Sequence, residues 1–122
     1  MGDCRVCRCH KVDAPSGTVQ ELAEALGEQR APHIDVSLEE TLGTRATRGA
    51  QIAGVPVHSI RLPSYMLGFD VIFGMGDERL ILRHESGSSP EPYVSGTLMA
   101  VKHVTSITGL VRGLDQLLFG KD

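Results

Sequence analysis

The run Lys11-Val12-Asp13-Ala14-Pro15-Ser16-Gly17-Thr18 constrains this chain more than any other stretch, because it joins a forced turn to the start of a helix. Pro15 fixes its own φ and disfavours helical geometry at the residue before it, while Gly17 admits conformations closed to other residues. Thr18 followed by Glu21 is a capping box, T-V-Q-E, so the spacing predicts a helix beginning at Thr18. Val19, Leu22, Ala23 and Leu26 then recur at helical period with Gln20, Glu21 and Glu24 outward, and Gly27 is expected to end the helix. The first turn of a helix leaves backbone N–H groups unpaired at the positive end of its dipole. The amides of Ser16, Gly17 and Thr18, together with two hydroxyls, therefore make a candidate site for a carboxylate or phosphate. Lys11 adds a compact positive charge and a transferable proton.

A chain of 122 residues with 41% hydrophobic content is expected to form one domain with a core of its own. Its 14 Gly and 6 Pro point to many tight turns. The formal charge of −3 shows no basic excess, which argues against nucleic acid and anionic membrane surfaces as partners. Apolar runs of membrane-spanning length and a signal-peptide core are both missing from the sequence, so a cytoplasmic location is expected. Cys4, Cys7, Cys9 and His10 are crowded together, and a small zinc site is one reading of them. Their spacing lacks a second ligand pair, so reduced thiols on a strand or loop are preferred and no metal is expected.

Beyond the first helix, the polar stretch from Gly43 to Gly54 reads as a mobile loop whose Arg45 and Arg48 are able to close over an anion. Val57 to Leu62, Met66 to Gly74 and Arg79 to His84 read as three strands of an antiparallel meander. In the last of them both faces are partly apolar, one expected to cover helices and the other to meet a partner subunit. His58 and His84 lie near strand ends and are read as structural. Helical spacing returns from Tyr93 to Val104, with Val94, Leu98 and Val101 as its core face and Gly96 allowing close packing, and His103 is read as capping or solvated. The tail carries Leu110, Val111, Leu114, Leu117, Leu118 and Phe119, an apolar set that needs a partner or remains exposed.

The run from Lys11 to Thr18 resembles the active-site signature of the 4-hydroxy-tetrahydrodipicolinate (dihydrodipicolinate) reductase family, in which a His-His pair precedes the lysine and the Asp-Ala-Pro-Ser-Gly-Thr stretch follows it. The likeness continues through Gly54-Val55-Pro56-Val57-His58-Ser59-Ile60-Arg61-Leu62, Val71-Ile72-Phe73-Gly74, Leu80 to Ser86, Gly96, Leu98 to Val101 and Gly109-Leu110. It covers nearly the whole chain from about Cys7, and what it lacks is the family's N-terminal nucleotide-binding half.

That resemblance implies an α/β (α+β) fold with a mixed, mostly antiparallel sheet and helices packed on one face, serving as substrate-binding and oligomerisation domain. Residues 1–10 would be an atypical N-terminal segment, 11–122 the domain itself, and 109–122 a tail packing on the missing half. The implied reaction, in diaminopimelate and lysine biosynthesis, is hydride transfer from NADPH or NADH to a pyridine-type dicarboxylate, in a cytoplasmic homotetramer. Lys11 takes the family's lysine role on the proton side, and Ser16, Gly17 and Thr18 hold a substrate carboxylate. Cys7 stands at the position of the proton-donor His and Arg8 at that of the second His, where it is suited to a carboxylate. The loop Ser88-Ser89-Pro90-Glu91-Pro92 occupies the place where the family commonly has an Arg. No G-x-G-x-x-G turn occurs in the sequence, so the cofactor is expected on the other half and the isolated chain is expected to be inactive. A non-catalytic relative that keeps the clamp as a dicarboxylate-binding or assembly module is the alternative.

Overall fold

The computed structural model describes residues 2–7, 10–63 and 67–120, the first of these segments by its backbone alone. The contacts divide the chain into two compact units, Met1–Gly87 and Ser88–Asp122.

The first unit is a five-stranded sheet with one helix. In chain order its elements are β1 (Gly2–Cys7), α1 (Gly17–Gln29), β2 (Ala50–Ile52), β3 (Val55–Arg61), β4 (Leu67–Met75) and β5 (Glu78–Ser86). The strand order is β2-β3-β1-β4-β5, with β1 parallel to β3 and every other pair antiparallel. The sheet is therefore mixed and mostly antiparallel, and the α+β class implied by the resemblance is met. The meander is not: β1 lies between β3 and β4. Alternation of apolar residues fixes which face a strand buries but not which strand lies beside it, and the short polar–apolar alternation of Asp3-Cys4-Arg5-Val6 does not announce a central strand.

Val19 and Ala23 of α1 pack with Val55 and Val57 of β3 to form the fully buried core, flanked by Leu26 and Ile52. Val55 and Val57 are two positions apart and so share one face of the sheet, the face that α1 covers. Burying a valine completely stabilises the fold by roughly 1.5–2 kcal/mol, so this small cluster is what holds α1 on the sheet. The register Val57↔Asp3↔Val71 carries the same face across to β4, where Val71 is also buried.

Helix α1 begins and ends differently from the sequence expectation. Ser16 is its N-cap, in extended conformation, and the Ser16 carbonyl accepts from the Gln20 amide at 3.0 Å. The Thr18–Glu21 capping box is not used, because Ser16 is an equally good N-cap type and Gly17 adopts helical geometry ahead of it. The helix also runs through Gly27 to Gln29. A Cβ at position 27 would lie 2.6 Å from the Ala53 Cβ and closer still to the Ala53 carbonyl, so this glycine lets the helix approach a turn instead of stopping it. That turn joins β2 to β3. Ala53 and Gly54 both have positive φ, 48° and 79°, the pairing of a type I′ hairpin whose twist matches the flanking strands.

The stretch from Gly43 to Gly54 is also more regular than expected. It contains a 3₁₀ turn at Arg45–Arg48 and strand β2, tied by Thr47 Oγ1 donating to the Thr44 carbonyl at 2.7 Å. Hydrogen bonds of this kind are local and leave no hydrophobic period to read.

The second unit comprises α2 (Glu91–His103), a 3₁₀ turn (Val104–Ser106) and α3 (Asp115–Phe119). Helix α2 starts two residues before Tyr93, with Pro92 in its first turn, where a missing N–H is harmless. Val94, Leu98 and Val101, read as a core face, are about half exposed, and no residue of α2 is buried. The close approach that Gly96 permits is to Leu114, whose Cδ1 would lie 2.8 Å from a Cβ there. The His103 ring donates from Nδ1 to the Met99 carbonyl at 2.9 Å, a bond within its own helix. Leu110 and Phe119 of the tail are almost fully exposed. Among the described residues no helix is long and apolar enough to cross a membrane.

Candidate functional site

Three charged side chains meet where the chain leaves β1 and enters α1. The Lys11 ammonium donates to Asp13 Oδ2 at 2.7 Å. Arg61, the last residue of β3, donates from Nη2 to the Asp13 backbone carbonyl, and the same Nη2 is 3.9 Å from Asp13 Oδ1. The Arg61 side chain is 17% exposed, whereas those of Lys11 and Asp13 are 39% and 40% exposed. The hydrogen bond from Lys11 holds the Asp13 carboxyl below its ordinary value; burial opposes this, and the charges of Lys11 and then Arg61 add to it. Asp13 is thus tied through its backbone to the sheet and through its side chain to Lys11, which places the lysine on an anchored segment.

The next turn carries Ser16, Gly17 and Thr18. The Ala14–Pro15 peptide is cis. Ser16 is 1% exposed, and its Oγ has no hydrogen-bond partner among the described residues. The side chain makes no cap bond, so the first-turn amides of α1 have no side-chain acceptor from the N-cap. Gly17 and Thr18 are exposed, and the space around Gly17 is open, with no atom of the described residues within 4 Å of a Cβ built there. The arrangement suits an anion: exposed amides at a helix start, with a lysine on the anchored segment leading into it.

Of the other residues singled out from the sequence, Cys7 closes β1, its backbone in register with Arg61 on one side and Leu67 on the other. The Cys7 side chain, the whole of Arg8 and Cys9, and the Cys4 side chain lie outside the described residues. Among the described residues no three His, Cys, Asp or Glu side chains converge as metal ligands. Arg45 donates to the Glu39 carbonyl at 2.8 Å, within its own loop. Arg48 borders a cavity of about 180 Å³ with Ile34, Val36 and Leu38. His84 stacks on Phe69 at 5.4 Å between ring centroids, the structural role expected of it. Asp70 and Arg83, cross-strand neighbours, form a two-bond ion pair at 2.7 and 2.6 Å. The residue that sequence reasoning left without a role is Arg61. Its one signal in the sequence is its place at the end of a strand.

A wider depression of about 440 Å³ lies between the Ala14-Pro15 turn and the β3 edge at His58, Ser59 and Ile60. It exists because β2 pairs with β3 only as far as Val57.

Known proteins resemble this chain over most of its length. A family profile described as "Dihydrodipicolinate reductase, C-terminus" matches residues 6–118. The 4-hydroxy-tetrahydrodipicolinate reductase of Mycolicibacterium smegmatis is 38% identical over 112 residues, covering 89% of this chain and 44% of that protein. Its namesake from Desulfitobacterium hafniense is 35% identical over 108 residues, covering 88% and 40% respectively. Among solved structures, a dipicolinate-bound dihydrodipicolinate reductase from Paenisporosarcina sp. TG-14 aligns with a TM-score of 0.79 at 31% identity, over 95% of this chain and 43% of that one. The chain spans less than half the length of these relatives.

Proposed function

Given that the chain belongs to the family of dihydrodipicolinate reductase C-terminal domains, we propose that it is the substrate-binding part of a 4-hydroxy-tetrahydrodipicolinate reductase of lysine and diaminopimelate biosynthesis. The substrate is a pyridine-type dicarboxylate, and the observation that carries the reading is the anchored Lys11 on the segment that opens onto the unpaired amides of α1. One substrate carboxylate rests on the amides of Ser16, Gly17 and Thr18, and the Lys11 ammonium neutralises it. Hydride addition to the ring builds negative charge, and Lys11 is the described group suited to supply the proton that quenches it. Cys7 and Arg8 occupy the positions of the family's His pair, as a second donor and a carboxylate ligand.

The hydride donor, NADPH or NADH, does not fit this chain. The turn into α1 reads Asp-Ala-Pro-Ser-Gly, without the spaced glycines that let a backbone approach a pyrophosphate. A nucleotide-binding domain is therefore the partner the reading requires, and this chain contributes the anion clamp and the proton. Self-association into a cytoplasmic homotetramer is part of the same proposal. It is supported by Leu80, Ile81 and Leu82 of β5, which are all more than 40% exposed. The second reading, a dicarboxylate-binding or assembly module without catalysis, is favoured by Cys7 and Arg8 standing in place of two histidines.

Thermal unfolding of the chain in the presence of pyridine-2,6-dicarboxylate tests the clamp. A ligand that binds only the folded state raises Tm in proportion to the logarithm of its saturation, and Lys11→Ala should abolish the rise. No shift at millimolar ligand, or a shift that survives Lys11→Ala, removes the proposal. Restoring both histidines in a hybrid that carries a nucleotide-binding domain, and following NADPH oxidation, separates the two readings.

A further inference from the structure

The geometry points to an exchange of partners within the site. We propose that Asp13 is an internal stand-in for a substrate carboxylate, occupying the Lys11 ammonium in the free protein and passing to Arg61 when an external dianion takes Lys11. The inference deepens the proposed function and rests on it for the identity of that dianion.

Asp13 is placed between two cations and uses its oxygens unequally. Oδ2 accepts from Lys11 at 2.7 Å, while Oδ1 is buried and has no hydrogen-bond partner among the described residues. Arg61 is in a similar condition: Nη2 serves the Asp13 carbonyl and Nη1 the Ile60 carbonyl, while the buried Nε has no partner among the described residues. Native structures rarely leave such buried groups unsatisfied. The gap from Arg61 Nη2 to Asp13 Oδ1 is 3.9 Å, so a carboxylate movement of about 1 Å would close it to the length of a charge-assisted bond. Nη2 carries two protons, one for the carbonyl and one for the carboxylate. Arg61 is much the more buried of the two cations, so it offers the less screened site, whereas an ion pair as exposed as Lys11–Asp13 is weak and readily displaced. Lys11 is then released with its proton to the incoming dianion, while Asp13 keeps a counter-charge and the loop keeps its tether.

Isothermal titration of the full chain with pyridine-2,6-dicarboxylate discriminates this exchange from a fixed positioning role. Asp13→Asn removes the competitor and should tighten binding about two- to fivefold, the span given by an exposed ion pair. Arg61→Gln should weaken binding by at least a similar factor, and should cost less in the Asp13→Asn background, where only the tether to the Asp13 carbonyl remains to be lost; an equal cost in both backgrounds overturns the exchange. Arg61→Lys should recover most of the loss. A weaker Asp13→Asn variant overturns the proposal, because a fixed support for Lys11 predicts that sign. A second measurement needs no ligand: in Lys11→Met, the Asp13 carboxyl followed by ¹³C NMR should stay below the ordinary carboxylate value because Arg61 takes it over. Return to the ordinary value refutes the exchange even if the dicarboxylate binds. If the wild-type chain fails to bind the dicarboxylate, the proposed function falls, and the exchange stands or falls on the Asp13 titration alone.

Discussion

Gly27→Ala should destabilise the first unit, although the same substitution inside an exposed helix usually does the opposite. Alanine gains about 1 kcal/mol over glycine in a helix interior. Against that, the new methyl would sit 2.6 Å from the Ala53 Cβ and closer still to the Ala53 carbonyl. Neither neighbour yields easily, since Ala53 already holds a positive φ of 48° in the β2–β3 turn. Forcing a methyl group into a packed contact costs about 1–3 kcal/mol, and a backbone obstacle belongs in the upper part of that range. The net expectation is a loss of about 1–2 kcal/mol, and a Tm lower by about 5–15 °C for a unit of this size. Thermal and urea unfolding followed by circular dichroism measure it. Gly17→Ala in the same helix is the internal control: it meets no atom of the described residues within 4 Å and should leave Tm nearly unchanged. A Gly27→Ala protein that melts at or above the wild type would refute the reasoning that this helix approaches its turn through a missing side chain.

Ser16→Ala should leave stability unchanged or slightly raised, because its buried hydroxyl makes no cap bond and no other hydrogen bond among the described residues, and a buried unpaired polar group is a cost. The same variant should weaken pyridine-2,6-dicarboxylate binding; a loss of about 1 kcal/mol of stability, as for an ordinary N-cap serine, would contradict the first half. Asp70→Asn should cost about 1 kcal/mol at neutral pH, since the hydrogen bonds from Arg83 hold the Asp70 carboxyl below its ordinary value. A depressed folded-state pKa contributes stability that is complete above the unfolded value near 3.9 and fades as pH falls through the lower folded value. Urea midpoints from pH 7 to pH 2 should therefore converge below about pH 4, and parallel curves would contradict this.

The run from Lys11 to Thr18 was legible because its turn and helix start are local events written in consecutive residues. The exact first residue of α1 was not, because Ser16 and Thr18 are both N-cap types and only the path imposed by the sheet chooses between them. Gly27 reads as a stop in sequence because its partner, Ala53, is distant along the chain and close only after β2 and β3 pair. The order of strands escaped for the same reason: the alternation in β3 and β4 shows what each buries, while the strand between them has mixed polarity. Arg61 illustrates the limit at the site. A single arginine at a strand end has no pattern to mark it, and its role follows from the Asp13 carbonyl lying within its reach.

The position of β1 sets how this unit is assembled. β2 with β3, and β4 with β5, are hairpin pairs made from neighbouring stretches of chain, so each can form quickly without the other. What unites them is a strand from far earlier in the sequence, hydrogen-bonded along both of its sides. A version shortened to begin at Lys11 would keep Lys11, Ser16, Gly17 and Thr18, yet it would leave the two ribbons with nothing between them, and Arg61 would hang from a half-sheet with no seam.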